Sequence, residues 1–148
     1  MQLAIYIFIA LAAFLLMEVV AWLAHKYLMH GWLWRLHKDH HHKEEYGFWE
    51  RNDFFFLIFA TPGISLLAIG IFLHSGYALY AGIGISLYGL CYFLVHDLFI
   101  HQRFKLFRNC NNRYLLGIRR AHKMHHKNLG KEGGECFGML WVPLKYFK

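Results

Sequence analysis

Three stretches of the chain are apolar almost without interruption: residues 3–24, 54–73 and 77–95. About 20 predominantly apolar residues cross the hydrocarbon core of a bilayer as a helix. Each stretch therefore predicts a transmembrane helix, and Glu18 is the only acid inside any of them. A fourth apolar stretch, residues 137–147, is too short to span. With Trp141, Tyr146 and Lys145 it reads as a segment lying at the membrane interface.

Charge orients these helices. Five basic residues lie between the first and second spans (Lys26, Arg35, Lys38, Lys43 and Arg51), and the remaining eleven of the sixteen follow the third. All therefore fall on one side of a three-span arrangement. The positive-inside rule makes that side cytoplasmic, with the N-terminus outside, as in a bacterial inner membrane. The first run has neither a basic leader nor a small-residue cleavage pattern, so it is expected to stay in the protein. The net charge of +7 then collects on one face, where it serves attraction to anionic lipid or the docking of an acidic electron donor. Nucleic acid is excluded as a partner, because the basic residues flank membrane spans. Cys91, Cys110 and Cys136 form no CxxC pair and predict no disulfide. At 148 residues the chain reads as a single domain, residues 1–148. It is an all-α integral membrane protein with a cytoplasmic, histidine-rich helical cap built from residues 25–53 and 96–148. A fourth helix, as a hairpin or shallow insertion outside the interval between the blocks, stays open.

The candidate chemistry lies in a degenerate repeat. The first half reads His25-x4-His30, then His37-x2-His40-His41; the second reads His96-x4-His101, then His122-x2-His125-His126. Each block begins where a predicted span leaves the membrane. Two spans, an even number, separate the blocks, so both emerge on the same face and can converge. Gly31 is placed to end the first helix. Pro62-Gly63 and Gly70 allow a kink or close packing in the second span, and Gly82, Gly84 and Gly89 offer a small-residue surface on the third.

On an α-helix, offsets 0, 3 and 4 fall within an arc of about 100°, so the imidazoles of each His-x2-His-His triplet can face one point. Offset 5 lies about 140° round, so a His-x4-His pair shares a metal only if the helix ends, bends or widens between the two. Ten imidazoles are too many for one metal, and two metals with four or five nitrogens each use them all. Imidazole suits iron, copper, zinc and nickel, and does not by itself choose among them. Two histidines stand outside the pattern. His74 belongs to the opposite-side turn, and His42 extends the first triplet, so that either His41 or His42 completes it. Asp39 and Asp97 adjoin candidate ligands, and Glu18 precedes His25 by seven positions. All three are candidates to accept a hydrogen bond from a ligand imidazole. Asn109, Asn111 and Asn112 read chiefly as helix caps.

The four histidine blocks resemble those of the fatty acid hydroxylase/sterol desaturase superfamily of membrane di-iron enzymes. His96-Asp97-x3-His101-Gln102-Arg103, Ala121-His122-x2-His125-His126, Gly130-Lys131-Glu132-Gly133 and Phe137-Gly138 are similar to its bacterial β-carotene hydroxylase branch. That resemblance implies two non-haem irons on the ten histidines, O2 as cosubstrate and electrons from an acidic ferredoxin-type donor. It also implies a carotenoid substrate within the bilayer, hydroxylated at C3 of the β-ionone ring to β-cryptoxanthin and then zeaxanthin. Phe14, Tyr88 and Tyr92 are candidates to line its slot. A fatty acid or sterol hydroxylase or desaturase is the alternative within the superfamily. A membrane metal carrier or haem protein is the remote alternative, disfavoured because the histidines sit at helix exits instead of facing one another within the bilayer.

Overall fold

The computed structural model describes residues 1–42 and 48–148, so Lys43, counted above among the basic residues, lies outside the described part. Among the described residues every regular element is helical. Helix α1 (Gln2–Leu23) runs into a π-helical segment (Ala24–Trp32), followed by α2 (Trp34–His41) and a 3-10 turn (Arg51–Asp53). A hairpin of α3 (Phe54–Phe72) and α4 (Gly76–Tyr92) comes next, and α4 runs into a second π-helical segment (Phe93–Ile100). Helix α5 (Arg113–Lys127) and a final 3-10 turn (Leu144–Phe147) complete the order. Three helical runs, Gln2–Trp32, Arg51–Phe72 and Gly76–Ile100, are long and apolar enough to cross a membrane. Helix α1 buries none of its side chains yet is apolar all round, the composition of a helix whose solvent is lipid. The first and third runs continue beyond the apolar stretches and carry the His25/His30 and His96 positions with them.

The chain divides into two compact units. One comprises Met1–Met17 with Phe54–Cys91. Its helices approach closely at glycines. A Cβ on Gly70 would lie 2.5 Å from the backbone nitrogen of Leu79, one on Gly82 would lie 2.7 Å from that of Leu67, and Gly84 meets the carbonyl of Ala10. Gly89 departs from the small-residue surface expected of it, since nothing lies within 4 Å of its Cβ position. Pro62 sits inside α3 without ending it. Tyr88, 2% exposed, packs edge to face with Phe14 at 5.5 Å, an arrangement of core side chains.

The second unit comprises Glu18–Asp53 with Tyr92–Lys148. Its core is Phe99, Ile100, Ile118, Ala121 and Val142. Helix α5 is amphipathic: Gly117, Ile118, Ala121, His122 and His125 share its buried face. Asn112 caps it, its Oδ1 accepting from the Leu115 N–H at 3.1 Å. The C-terminal stretch folds back on this helix. The ring of Phe147 rests on Gly117, and Arg120 Nη1 donates to the carbonyls of Tyr146 and Lys148 at 3.2 and 2.9 Å.

Candidate metal centre

The two His-x4-His pairs fall at the two π-helical segments, the second with His101 at its C-cap. In an α-helix positions five apart diverge, but i→i+5 hydrogen bonding brings them onto one face. The bonds have that register: the His101 N–H donates to the His96 carbonyl at 2.9 Å, and the Leu33 N–H to the Leu28 carbonyl at 2.8 Å. The helix therefore widens between the paired histidines. Gly31 leaves helical geometry (φ −111°, ψ −113°) and turns the chain toward α2.

Ring nitrogens of His25, His30, His37, His41 and His125 all lie within 4.8 Å of one another, and so do those of His40, His101, His122 and His126. His96 joins the second group through its Nε2, 3.3 Å from that of His40. The triplets do not each face one point, as helical offsets alone suggested. Each straddles both groups: His37 and His41 go to the first and His40 to the second, while His122 and His126 go to the second and His125 to the first. Each group thus takes four imidazoles from its own half of the repeat and one from the other half. His42 is exposed at the end of α2, and His74 is exposed in the α3–α4 turn.

Hydrogen bonding sets the direction of these rings. Nδ1 of His25 donates to the Phe137 carbonyl (2.9 Å), that of His30 to Lys131 (3.0 Å), that of His41 to Asn128 (3.0 Å) and that of His125 to Glu135 (2.8 Å). His37 Nδ1 donates to Asn52 Oδ1 at 2.6 Å, and His40 Nδ1 to Glu50 Oε2 at 2.9 Å. With the proton on Nδ1, each Nε2 carries a bare lone pair. Yet His25 and His37 bring Nε2 atoms to 3.1 Å, and His30 and His125 to 3.2 Å. Lone pairs held this close repel unless a cation lies among them. Two nitrogens on one metal at about 2.1 Å, roughly at right angles, lie about 3 Å apart. His41 Nε2 is buried without a hydrogen-bond partner, a state that native structures rarely leave unexplained. The residues therefore fit a metal ion in each group.

Protonation agrees. Burial, the largest cause in each case, pushes His37 and His126 down to about 2, His125 to about 3, and His41 and His101 to about 4. It also drives His40 and His122 well below the ordinary histidine range, and neighbouring imidazoles add to the effect. The rings are neutral near pH 7, the form that binds metal.

Of the three carboxylates singled out in the sequence, Glu18 and Asp39 accept backbone N–H groups, and Asp97 stands near an imidazole. Glu18 Oε1 accepts the backbone N–H groups of Met139, Leu140 and Trp141 at 3.0, 2.8 and 2.9 Å. It thereby anchors the segment whose carbonyls hold His25 and His125. Gly138 makes room for this, since a Cβ there would lie 2.6 Å from the Trp141 carbonyl and 3.2 Å from Glu18 Oε1. Asp39 Oδ2 accepts the Arg51 N–H at 2.6 Å. Asp97 comes only within 3.6 Å of His96 Nδ1, too far for a hydrogen bond. Sequence reasoning missed Glu50, Asn52 and Arg103. Arg103 Nη2 pairs with Asp53 at 2.7 Å and approaches Glu50 at 3.8 Å. Burial opposes its charge, but the Asp53 hydrogen bond and the surrounding carboxylates raise its pKa above the ordinary value. The residues from 128 to 137 were legible only as a motif, because their contribution is backbone carbonyls.

A family model described as Fatty acid hydroxylase matches residues 10–144. The chain is 43% identical to a β-carotene hydroxylase of Pantoea ananas over 129 residues, 86% of this chain and 71% of that one. It is 38% identical to the β-carotene hydroxylase of Pseudescherichia vulneris over 136 residues, 90% and 75% of the two chains. It is 32% identical to that of Paracoccus sp. (strain N81106 / MBIC 01143) over 136 residues, 91% and 83%. No solved structure matches the chain significantly. A family match over most of the chain and relatives aligned over most of their own length lead to one conclusion: the chain belongs to the fatty acid hydroxylase family.

Proposed function

We propose that this chain is a membrane-bound di-iron oxygenase that hydroxylates C3 of the β-ionone rings of β-carotene, giving β-cryptoxanthin and then zeaxanthin. The observation that carries the metal half of this reading is the pair of imidazole groups with converging Nε2 atoms. The substrate half rests on the names of the relatives. The ligands are His25, His30, His37, His41 and His125 for one iron and His40, His96, His101, His122 and His126 for the other. When bound, the irons supply O2 activation: two electrons and two protons convert O2 and a C–H bond to C–OH and water. The chain does the rest. Its carbonyls, Asn52 and Glu50 hold the imidazoles in the Nδ1–H tautomer, so that Nε2 faces inward. The buried imidazoles keep water from most of the site: His37, His96 and His125 are 1%, 3% and 0% exposed. The three apolar helices fit a substrate that resides in the bilayer. The distribution of basic residues favours a bacterial inner membrane, with the N-terminus outside and the histidines cytoplasmic. The same basic face suits an acidic ferredoxin-type donor.

Pigment analysis of a β-carotene-producing bacterial host tests this, with a His125→Ala control. Zeaxanthin or cryptoxanthin formed only by the intact chain is the expected result. Unchanged β-carotene, with the protein in the membrane and two irons bound, would overturn the carotenoid reading and turn attention to fatty acyl or sterol substrates.

A further inference from the structure

The two imidazole groups differ in what their Nδ1–H groups meet. In the first, all five donate to neutral oxygens: the carbonyls of Phe137, Lys131, Asn128 and Glu135, and Asn52 Oδ1. In the second, His40 donates to the carboxylate of Glu50 at 2.9 Å. Arg103 offsets that anion only in part, because one guanidinium is shared among three carboxylates: it makes its short contact with Asp53 at 2.7 Å and stands 3.8 Å from Glu50 and 3.9 Å from Asp97. A second carboxylate, Asp97, lies 3.6 Å from His96 Nδ1 in the same group. Glu50 and Asn52 sit two residues apart at the 3-10 turn, and each points to an imidazole of α2, one serving each group.

A carboxylate acceptor draws the imidazole proton toward itself and makes the ring a more basic ligand. Greater electron donation and a nearby negative charge favour the more oxidised metal and lower its reduction potential. We infer that Glu50 is a positioning and tuning residue that makes the two metal positions electronically unequal, the His40 group holding the metal that is harder to reduce. With a one-electron donor of the ferredoxin type, a metal held by the His25 group would therefore be reduced first. This inference rests on the two-iron reading above.

The test is a reductive titration of the purified full chain, loaded with iron, with iron content and Mössbauer spectra read at each step. The wild-type chain is expected to hold two irons with two resolved potentials. Glu50→Gln keeps the hydrogen-bond acceptor and removes the charge, so it should raise the lower potential, leave the higher one in place and retain both irons. Asn52→Asp is the reciprocal change and should lower the higher potential, narrowing the gap. Two irons whose potentials stay put in both variants, or shift equally in either, overturn the inference alone. Should Glu50→Gln shed iron, Asn52→Asp decides by the same criterion. A wild-type chain that binds fewer than two irons overturns the metal reading, and this inference with it.

Discussion

His125 holds its Nε2 3.2 Å from that of His30, across 95 positions of sequence. Its neighbours on α5, His122 and His126, belong to the other group. His40 makes the reciprocal exchange from α2, with its Nε2 3.3 Å from that of His96. The two halves of the repeat are thus interlocked, each group being completed by one imidazole from the opposite half. Neither half can assemble a full ligand set alone.

This exchange predicts a pattern of iron loss. His125→Ala combined with His30→Ala should remove little more iron than either change alone, because both strip one group. His125→Ala combined with His122→Ala should strip both, leaving well under one iron per chain. Loss of a ligand should exceed the roughly 10–100-fold affinity loss typical of outer partners. Iron per purified chain is the readout, analysed as a double-mutant cycle. Equal loss in the two double variants would show that the triplets are not divided in this way.

Glu18 makes its own prediction. A hydrogen bond to a charged group contributes about 1.5–3 kcal/mol, and Glu18 Oε1 accepts three of them. Glu18→Ala should lower the melting temperature in detergent and release iron from the first group, four of whose five imidazoles rest on residues 128–137. Glu18→Gln keeps an acceptor oxygen and should fall between the two. An Ala variant with unchanged iron content and melting temperature would refute the anchoring role.

Two glycines should respond oppositely to alanine. At Gly138 the added Cβ meets the Trp141 carbonyl at 2.6 Å, and overpacking of this kind costs about 1–3 kcal/mol. At Gly89 nothing lies within 4 Å, and Ala in place of Gly inside a helix gains up to about 1 kcal/mol. Thermal melts of the two variants should therefore shift in opposite directions, and a shared direction counts against the packing described at Gly138.

The metal-free chain should be acid-labile in a defined window. The folded pKa values of His41 and His101 are depressed to about 4, below the unfolded value of about 6.5. From about pH 6.5 down to about 4 the unfolded chain binds protons that the folded one refuses. Stability is therefore present above pH 6.5 and falls as the pH drops, by up to about 1.4 kcal/mol per pH unit for each such histidine. Circular dichroism melts of the iron-free protein from pH 7 to 4 measure this. A flat profile across that range would mean the imidazoles are not buried as described.

Much of the molecule is legible in its residues. Runs of apolar side chains long enough for a bilayer mark the three spans, because lipid selects composition over a whole helix whatever its neighbours are. The offset of five between His25 and His30, and between His96 and His101, already demanded a departure from α-helix, and only the folded structure reveals that the departure is π-helical. Asn112 is a cap that local sequence suffices to suggest. Glu18 stood out as a costly carboxylate within an apolar run, but its partners are three backbone N–H groups more than 120 positions away, which no side chain announces.

The sequence by itself determined that histidines at helix exits could converge, since residue type, spacing and the parity of the spans require nothing beyond the chain's own order. Only the tertiary structure decided how His40 and His125 are shared between the groups, which carbonyls orient the rings, and that Glu50 serves one group while Asn52 serves the other. Those outcomes depend on the placement of backbone oxygens and of side chains remote in sequence. Long-range packing sets such placements, and local pattern does not carry them.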